Sequence, residues 1–265
     1  MAREHLGDWV APFVAVDRPA DVDGSHTARV AEMVEVLTAL ADAGLALPLV
    51  AKPDLGCRGA GDADLAAYLA AYPPGERLVL QRLVPHEGEA GVFYVRRPGE
   101  REGRIVSLTL KYFPHVHGDG RRTLRELILA DPRAGRVPHL YLRRHAARLD
   151  TVPAAGSAVR LAFAGSHSRG AIFRDGRHLV TPAMQQRFDA LARALPEFHF
   201  GRFDVRFADI ADLQRGEGFT IVEINGAGAE CTHIWDRRTT LCSAWRDLMR
   251  QYRWLFEIGA ANRTR

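Results

Sequence analysis

The sequence contains very little lysine. Of its 36 basic residues, 34 are arginine, and Lys52 and Lys111 are the only lysines, although lysine is normally among the commonest residues. Heavy use of Ala, Gly and Arg explains the scarcity, but it does not explain why lysine persists at these two positions. A compact ammonium group is needed where the planar fork of arginine does not fit. We therefore expect chemistry at these two lysines.

Other absences exclude whole classes of protein. Three cysteines without a C-x-x-C pair cannot build a disulfide scaffold, so a cytoplasmic, reducing location is the simplest expectation. No stretch approaches 18 uninterrupted apolar residues, so we expect no membrane span. The N-terminal residues contain no apolar segment of the kind found in signal peptides, so we expect no signal peptide. The net charge of +4 comes from arginines interspersed with acidic residues, so nucleic-acid binding is not expected.

The apolar periodicity predicts a chain of class α+β. Helices and strands follow one another without strict β-α-β alternation, which favours α+β layers over a doubly wound sheet. Apolar stripes predict helices at 26–44, from 62 onward, at 123–128, 181–195 and 240–256, and apolar runs predict strands at 47–51, 77–84, 91–96, 103–112, 203–207 and 219–224. In the last helix we expect one face to pack against the core: Leu241, Trp245, Leu248, Tyr252 and Leu255.

A glycine-rich loop follows the first lysine. Lys52 ends a short apolar strand, and Gly56, Gly59 and Gly61 lie in the loop before the next helix. Glycines let backbone N–H groups approach a ligand, and a helix N-terminus favours negative charge, so the segment suits a polyphosphate. It matches neither the Walker A motif nor the dinucleotide fingerprint. An ordinary turn is therefore the alternative.

A second candidate segment begins with the strand at 77–84. Gln81 and Leu83 lie near its end, and Glu87 and Glu89 follow Pro85. Backbone groups of such a strand can pair with an adenine edge, and a carboxylate beyond it can accept from ribose hydroxyls. An ordinary edge strand with solvated glutamates is the alternative.

A third segment combines polar residues on two apolar strands. Asp204 lies between Arg202 and Arg206, and Glu223 and Asn225 follow nineteen and twenty-one residues after Asp204. Residues at i and i+2 of a strand share a face, and carboxylate and carboxamide oxygens are the ligands that Mg²⁺ prefers. The sequence thus predicts a magnesium site. The alternative is a salt bridge from Asp204 to Arg202 or Arg206.

In this order, the motifs resemble the ATP-grasp superfamily, specifically carboxylate–amine ligases related to D-alanine–D-alanine ligase and the ATP-grasp part of cyanophycin synthetase. The resemblance extends over residues 47–258 and rests on the segments 50–61, 81–89, 111–128, 202–204 and 223–226. It implies an ATP-grasp fold in which two α+β subdomains grip ATP between them. The implied division is a short N-terminal helical segment at 1–46, an N-terminal subdomain at 47–85, a C-terminal subdomain with the metal site at 86–258 and a tail at 259–265.

The resemblance also implies ATP and Mg²⁺ as cofactors and assigns roles to residues. Cofactor contacts fall on the two lysines, on the glycine loop and on the adenine and ribose segment: Lys52, Lys111, Gly56, Arg58, Gly59, Gly61, Gln81, Leu83 and Glu89. The metal ligands are Asp204, Glu223 and Asn225, with Glu223 bridging two ions. Arg202 and Lys111 are the implied catalytic residues.

The implied activity is an ATP-dependent ligase that activates a carboxylate as an acylphosphate and joins it to an amine. A phosphotransferase of the same fold, or a catalytically weak nucleotide-binding module acting with a partner, are the alternatives. Two further segments supply candidate contacts to the small-molecule acid or amine: His167, Arg169, Glu230 and His233. Because few residues precede Lys52, we expect a homodimer or a partner protein to supply the region that such ligases carry before their ATP-binding core.

Overall fold

The structure is a computed structural model that describes residues 2–18, 25–54, 60–61, 65–162 and 170–263. The chain divides into two compact units, Met1–Pro85 and His86–Arg265. Its α-helices are α1 (Ala2–Leu6), α2 (His26–Asp42), α3 (Leu65–Ala71), α4 (Leu124–Ala130), α5 (Pro138–Arg144), α6 (Pro182–Ala194), α7 (Ile210–Gln214) and α8 (Leu241–Asn262). Its strands are β1 (Phe13–Asp17), β2 (Leu49–Pro53), β3 (Ala60–Gly61), β4 (Arg77–Arg82), β5 (Gly88–Val95), β6 (Arg104–Tyr112), β7 (His115–His117), β8 (Ala158–Arg160), β9 (Ile172–Asp175), β10 (Phe200–Phe207) and β11 (Phe219–Asn225).

The first unit is built on a four-stranded sheet in the order β1-β4-β2-β3. The described pairings are antiparallel, and β1 lies beside β4 with Phe13 opposite Gln81. Val36 and Leu40 of α2 join Leu69, Leu78 and Leu80 in its core. Residues 1–46, which we expected to be helical, therefore also contribute a strand. Its five residues are too few for periodicity to reveal it.

The second unit is built on a five-stranded antiparallel sheet in the order β11-β10-β5-β6-β9. The Thr181 hydroxyl caps helix α6, which buries Met184, Phe188 and Leu191 of the predicted stripe. The ring of Phe188 stacks on that of Phe219 of β11 at 5.0 Å between centroids. The prediction for this helix is confirmed, because its apolar residues share one face.

A second core of this unit lies around α4 and α5. It contains Phe113, Leu127, Ile128, Tyr141 and Leu161. Helix α4 starts with the predicted cap, since the Thr123 hydroxyl accepts from the Glu126 backbone and the Glu126 carboxylate accepts from the Thr123 backbone. Strands β7 and β8 form a separate two-stranded sheet in this unit. The sequence patterns do not predict this sheet.

Helix α8 buries a different face from the one predicted. Its buried residues are Asp247, Gln251, Trp254 and Ile258, whereas most of the predicted packing face is exposed: Leu241, Trp245 and Tyr252. Trp254 packs with Phe93, Phe200 and Ile258, and the guanidinium carbons of Arg97 and Arg104 lie 5.6 and 5.7 Å from its ring centroid. The prediction was wrong because apolar residues occur on both sides of this helix.

The class α+β is confirmed by helices packed on antiparallel sheets. Within the residues that the structure describes, none of the helices has the length and apolar character needed to span a membrane.

Candidate functional site

The site is a row of charged residues on one face of the five-stranded sheet. Strand register aligns Arg206 of β10 with Glu89 of β5, and Glu89 with Lys111 of β6. Two residues before Arg206 on β10, Asp204 lies opposite Glu223 of β11. Because directly paired residues of neighbouring strands point to the same face, segments distant in sequence meet here. The structure thus brings together predicted residues from three separate motifs.

Lys111 lies at the centre of this row and is buried. Its Nζ donates to Oε1 of Glu89 at 3.1 Å and lies 3.0 Å from Oδ1 of Asp204. Both acids are also buried. A single ammonium group therefore joins the predicted ribose contact to a predicted metal ligand.

Asp204 is held by further donors. Arg202 contacts it through two nitrogens, with Nε at 2.9 Å from Oδ1 and Nη2 at 3.1 Å from Oδ2. The amide of Asn225 donates to Oδ2 at 3.2 Å. The salt bridge to Arg202, which was the alternative to metal binding, is therefore present in the structure. Arg202 also donates to the backbone oxygen of Glu230 at 3.2 Å.

These contacts shift the pKa values of Asp204, Lys111 and Arg202. Burial disfavours the charged form of Asp204, but Lys111 and Arg202 outweigh it and hold the pKa of Asp204 below its usual value. Burial likewise opposes the charge on Lys111, but Asp204 and Glu89 hold the pKa of Lys111 above its usual value. The pKa of Arg202 is raised against its burial, chiefly by Asp204. All three groups are charged at neutral pH.

Gly91 makes room for this arrangement. It lies opposite Asp204, and a Cβ at this position would meet Cδ of Arg202 at 3.0 Å, Oδ1 of Asp204 at 3.1 Å and Oγ1 of Thr232 at 3.4 Å. Glycine in a strand interior weakens the strand, so its presence often marks close approach by another group. Here that group is the Arg202–Asp204 pair.

The predicted metal ligands share a strand pair. Glu223 lies opposite Asp204, and Asn225 lies opposite Arg202. Among the described residues there is no group of three or more His, Cys, Asp or Glu that could hold a metal ion. The predicted set of Asp204, Glu223 and Asn225 contains only two such residues beside one amide. Its role in metal binding therefore stays a prediction.

In the first unit, Lys52 and Gln81, two predicted cofactor contacts, are hydrogen-bonded to each other. Nζ of Lys52 donates to Oε1 of Gln81 at 3.0 Å, from β2 to the adjacent strand β4. Gln81 is buried, and its amide reaches the backbone oxygen of Ala11 at 3.4 Å. The backbone N–H of Leu83 donates to the carbonyl of Pro48 at 3.2 Å. Gly61 pairs with Val50 at the edge of the sheet.

Several predicted contacts lie outside the described residues. They are Gly56, Arg58 and Gly59 of the glycine loop and His167 and Arg169 of the segment before β9. Their roles stay predictions.

Both ring nitrogens of His233 contact other side chains. The ring is buried, with Nδ1 2.7 Å from the Ser107 hydroxyl and Nε2 2.9 Å from Oδ2 of Asp247. The role of His233 as a contact to an acid or amine stays a prediction. Although Ser, His and Asp form a chain, Ser107 is itself buried, so the contacts join β6 to α8 rather than expose a nucleophile.

Sequence reasoning missed this link because Ser107 lies 126 residues from His233. It also missed Gln251 of α8, whose amide accepts from the backbone N–H of Cys231 at 2.8 Å and donates to the carbonyl of Ala229 at 2.9 Å. A glutamine among the apolar residues of a helix is a signal for such a role, because a buried amide needs hydrogen-bond partners. Together these bonds fix the loop that follows β11.

No protein-family model matches the chain, and a comparison with curated proteins finds no match. Among solved structures, the chain is similar to a bifunctional glutathione synthetase from Pasteurella multocida, with 15% identity and a TM-score of 0.42 over 95% of this chain and 35% of that one. It is similar to D-alanine–D-alanine ligase from Bacillus anthracis, with 11% identity and a TM-score of 0.43 over 99% and 65%.

It is also similar to the ATP-grasp ligase PsnB complexed with minimal precursor, with 10% identity and a TM-score of 0.43 over 95% and 58%. The chain thus spans between about a third and two thirds of the length of these structures.

Proposed function

We propose that the protein is an ATP- and Mg²⁺-dependent ligase of the ATP-grasp type that activates a carboxylate and joins it to an amine. One observation carries the proposal. Lys111, Glu89 and Asp204, which come from three separate sequence motifs, are buried in contact with one another, and the half-buried Arg202 and Asn225 bind Asp204. A chance set of surface charges would not be buried together, because unpaired burial of charge is costly.

The cluster suits the binding of anionic oxygens. Lys111 and Arg202 are cations held in place by buried carboxylates, and their raised pKa values keep them charged. Charges fixed before a reaction stabilise negative charge that develops in it, without the cost of reorganisation. We propose that both side chains bind phosphate oxygens and that Arg202 also orients the acylphosphate.

The donor set fits a hard metal ion. Metal ligands must be deprotonated, and the lowered pKa of Asp204 keeps it so. Glu223 and Asn225 lie on the paired strand and complete a set of oxygen donors. Four nitrogen contacts already surround Asp204, so ion binding there requires one of them to be exchanged. When bound, Mg²⁺ would neutralise phosphate charge and ATP would supply the phosphoryl group.

The metal assignment is tested by Glu223→Gln, which keeps the shape of the side chain and removes its charge. We expect Mg²⁺-dependent ADP release to fall by at least about a hundredfold, since a lost ligand removes several kcal/mol of charge stabilisation. Glu217→Gln, on the exposed loop before β11, is the matched control and should keep full activity. Unchanged turnover in Glu223→Gln would refute the assignment.

The class of reaction is tested by ADP release from wild-type protein over pooled carboxylates and amines. A ligase requires both a carboxylate and an amine. ADP release with an acceptor alone would instead identify a phosphotransferase, and nucleotide binding without any turnover would identify a binding module.

A further inference from the structure

Helix α8 carries an apolar stripe that its own unit leaves uncovered. Leu241, Trp245, Met249, Tyr252 and Phe256 are 68, 65, 72, 58 and 71% exposed. Their spacing of four, four, three and four residues keeps them on one side of the helix. The opposite side holds the buried residues Asp247, Gln251, Trp254 and Ile258. We call the exposed set the α8 stripe.

The stripe is as large as the largest apolar patch of a typical monomer. A fully buried aromatic side chain covers 150–250 Å², so the exposed parts of Trp245, Tyr252 and Phe256 alone amount to roughly 300–500 Å². Leu241 and Met249 add to this. The largest apolar patch of a typical monomer is about 300–600 Å², and such patches often mark interaction sites.

The area is also appropriate for association with another protein chain. A standard interface buries about 800 Å² on each partner, with an apolar centre enriched in aromatic residues and Met. The stripe supplies such a centre along sixteen residues of a helix, a length of about 22 Å at 1.5 Å per residue. Polar neighbours of the stripe would complete the rim.

We propose that the α8 stripe is the interface at which two copies of this chain associate, with the two α8 helices packed antiparallel about a two-fold axis. A two-fold interface uses the same patch on both subunits, so the patch must be complementary to itself. The gaps from Trp245 through Met249 and Tyr252 to Phe256 are four, three and four, which is the same in both directions. Trp245 then faces Phe256 of the other copy, and Met249 faces its Tyr252.

Met249 lies near the axis of this arrangement. Its flexible side chain can adapt to the aromatic rings of the second copy. At 100° per residue, the charged residues of α8 beside the stripe lie on one flank: Arg246, Arg250, Arg253 and Glu257. There Glu257 pairs with Arg253 at 2.9 Å and with Arg97 at 3.6 Å, and Arg250 pairs with Asp247 at 3.2 Å. The apolar centre therefore holds no charge that would be buried without a partner.

The test is sedimentation of the full chain over a wide range of concentration, with Met249→Glu as the disrupting variant. Wild-type protein should show twice the 29.4 kDa mass of one chain. Met249→Glu buries two like charges close to the axis and should weaken the dimer by at least about a hundredfold. Val152→Glu, an exposed apolar residue outside the stripe, is the control and should remain dimeric.

A second variant, Phe256→Lys, tests the same interface if Met249→Glu melts before wild type. Wild-type protein that stays monomeric at every concentration would overturn the proposal and would leave the stripe to a different occupant. A dimer that persists in both folded stripe variants would overturn it equally. Neither outcome bears on ADP release, so this inference and the proposed function can fail separately.

Discussion

At the scale of single residues, Lys111 shows why lysine persists in a chain that otherwise uses arginine. Its ammonium group fits between Glu89 and Asp204 at 3.1 and 3.0 Å. A planar guanidinium is wider and directs its donors in a fixed fork. Arg202 shows the complementary case, since it binds the same Asp204 with two nitrogens. The two cations are therefore not interchangeable at these positions.

Replacing Lys111 by Met should strongly destabilise the fold. The change leaves Glu89 and Asp204 buried with one cation fewer, and breaking a buried ion pair costs about 3–5 kcal/mol. The free energy of unfolding in urea measures the effect. Arg125→Met removes an exposed pair with Asp150 and should cost at most about 1 kcal/mol. Equal effects of the two changes would contradict the buried cluster.

The lowered pKa of Asp204 predicts a pH dependence on the acid side. Its charged form is stabilised in the folded state, so its contribution is complete above the unfolded pKa of about 3.9 and is lost as the pH falls through the lower folded value. Melting temperatures of wild type and Asp204→Asn should therefore converge as the pH falls below about 4. A constant difference between them at every pH would contradict this assignment.

At the scale of elements, strand register creates the site. β10 lies between β5 and β11, so residues from three motifs reach one face. Gly91 is the point at which this register is most sensitive, since it faces the Arg202–Asp204 pair. The loop after β11 is held from the other side by Gln251 and His233. The geometry of the site therefore depends on both the sheet and α8.

Gly91→Ala should disturb the site through this register. The added Cβ would approach Arg202 and Asp204 at 3.0 and 3.1 Å, and overpacking of this kind costs about 1–3 kcal/mol. ADP release should fall together with stability, as measured by turnover and urea unfolding. Gly228→Ala, where a Cβ meets nothing within 4 Å, should behave as wild type. Full activity of Gly91→Ala would show that the Arg202–Asp204 pair can move to accommodate the added Cβ without loss of function.

At the scale of the whole molecule, the predicted cofactor contacts are distributed over both compact units of the chain. Lys52 and Gln81 are bonded in the first unit, and the buried charge cluster lies in the second. The net charge of the chain is small at +4, so specific charges rather than an overall field must select the ligand. Nucleotide binding is therefore best measured on the complete chain.

Mg²⁺ with ATP should raise the melting temperature of the complete chain. A ligand that binds only the folded state stabilises it by about 2.7 kcal/mol at a hundred times its dissociation constant. Differential scanning fluorimetry with and without Mg-ATP checks this, and Mg²⁺ with sulfate is the control for ionic effects. No shift at saturating Mg-ATP would refute the nucleotide proposal as a whole.

Local patterns predicted most of the elements. The stripe of α6, the caps at Thr123 and Thr181 and the strands that contain Asp204 and Glu223 all follow from neighbouring residues, and they agree with the structure. The short strand β1 and helices α5 and α7 have too few residues for a period to be recognised. The buried face of α8 could not be predicted, because two apolar faces compete on that helix.

The sequence by itself determined the class of the fold, the order of its motifs and the residues that could carry charge into a site. The tertiary structure alone decided which of them meet. Lys111 pairs with both Glu89 and Asp204 because β5 lies between β6 and β10, an order that no local pattern encodes. It also decided that α8 buries Trp254 and exposes Trp245. The physical reason is that register and burial depend on contacts between segments far apart in the chain, whereas helix and strand propensity depend on neighbours.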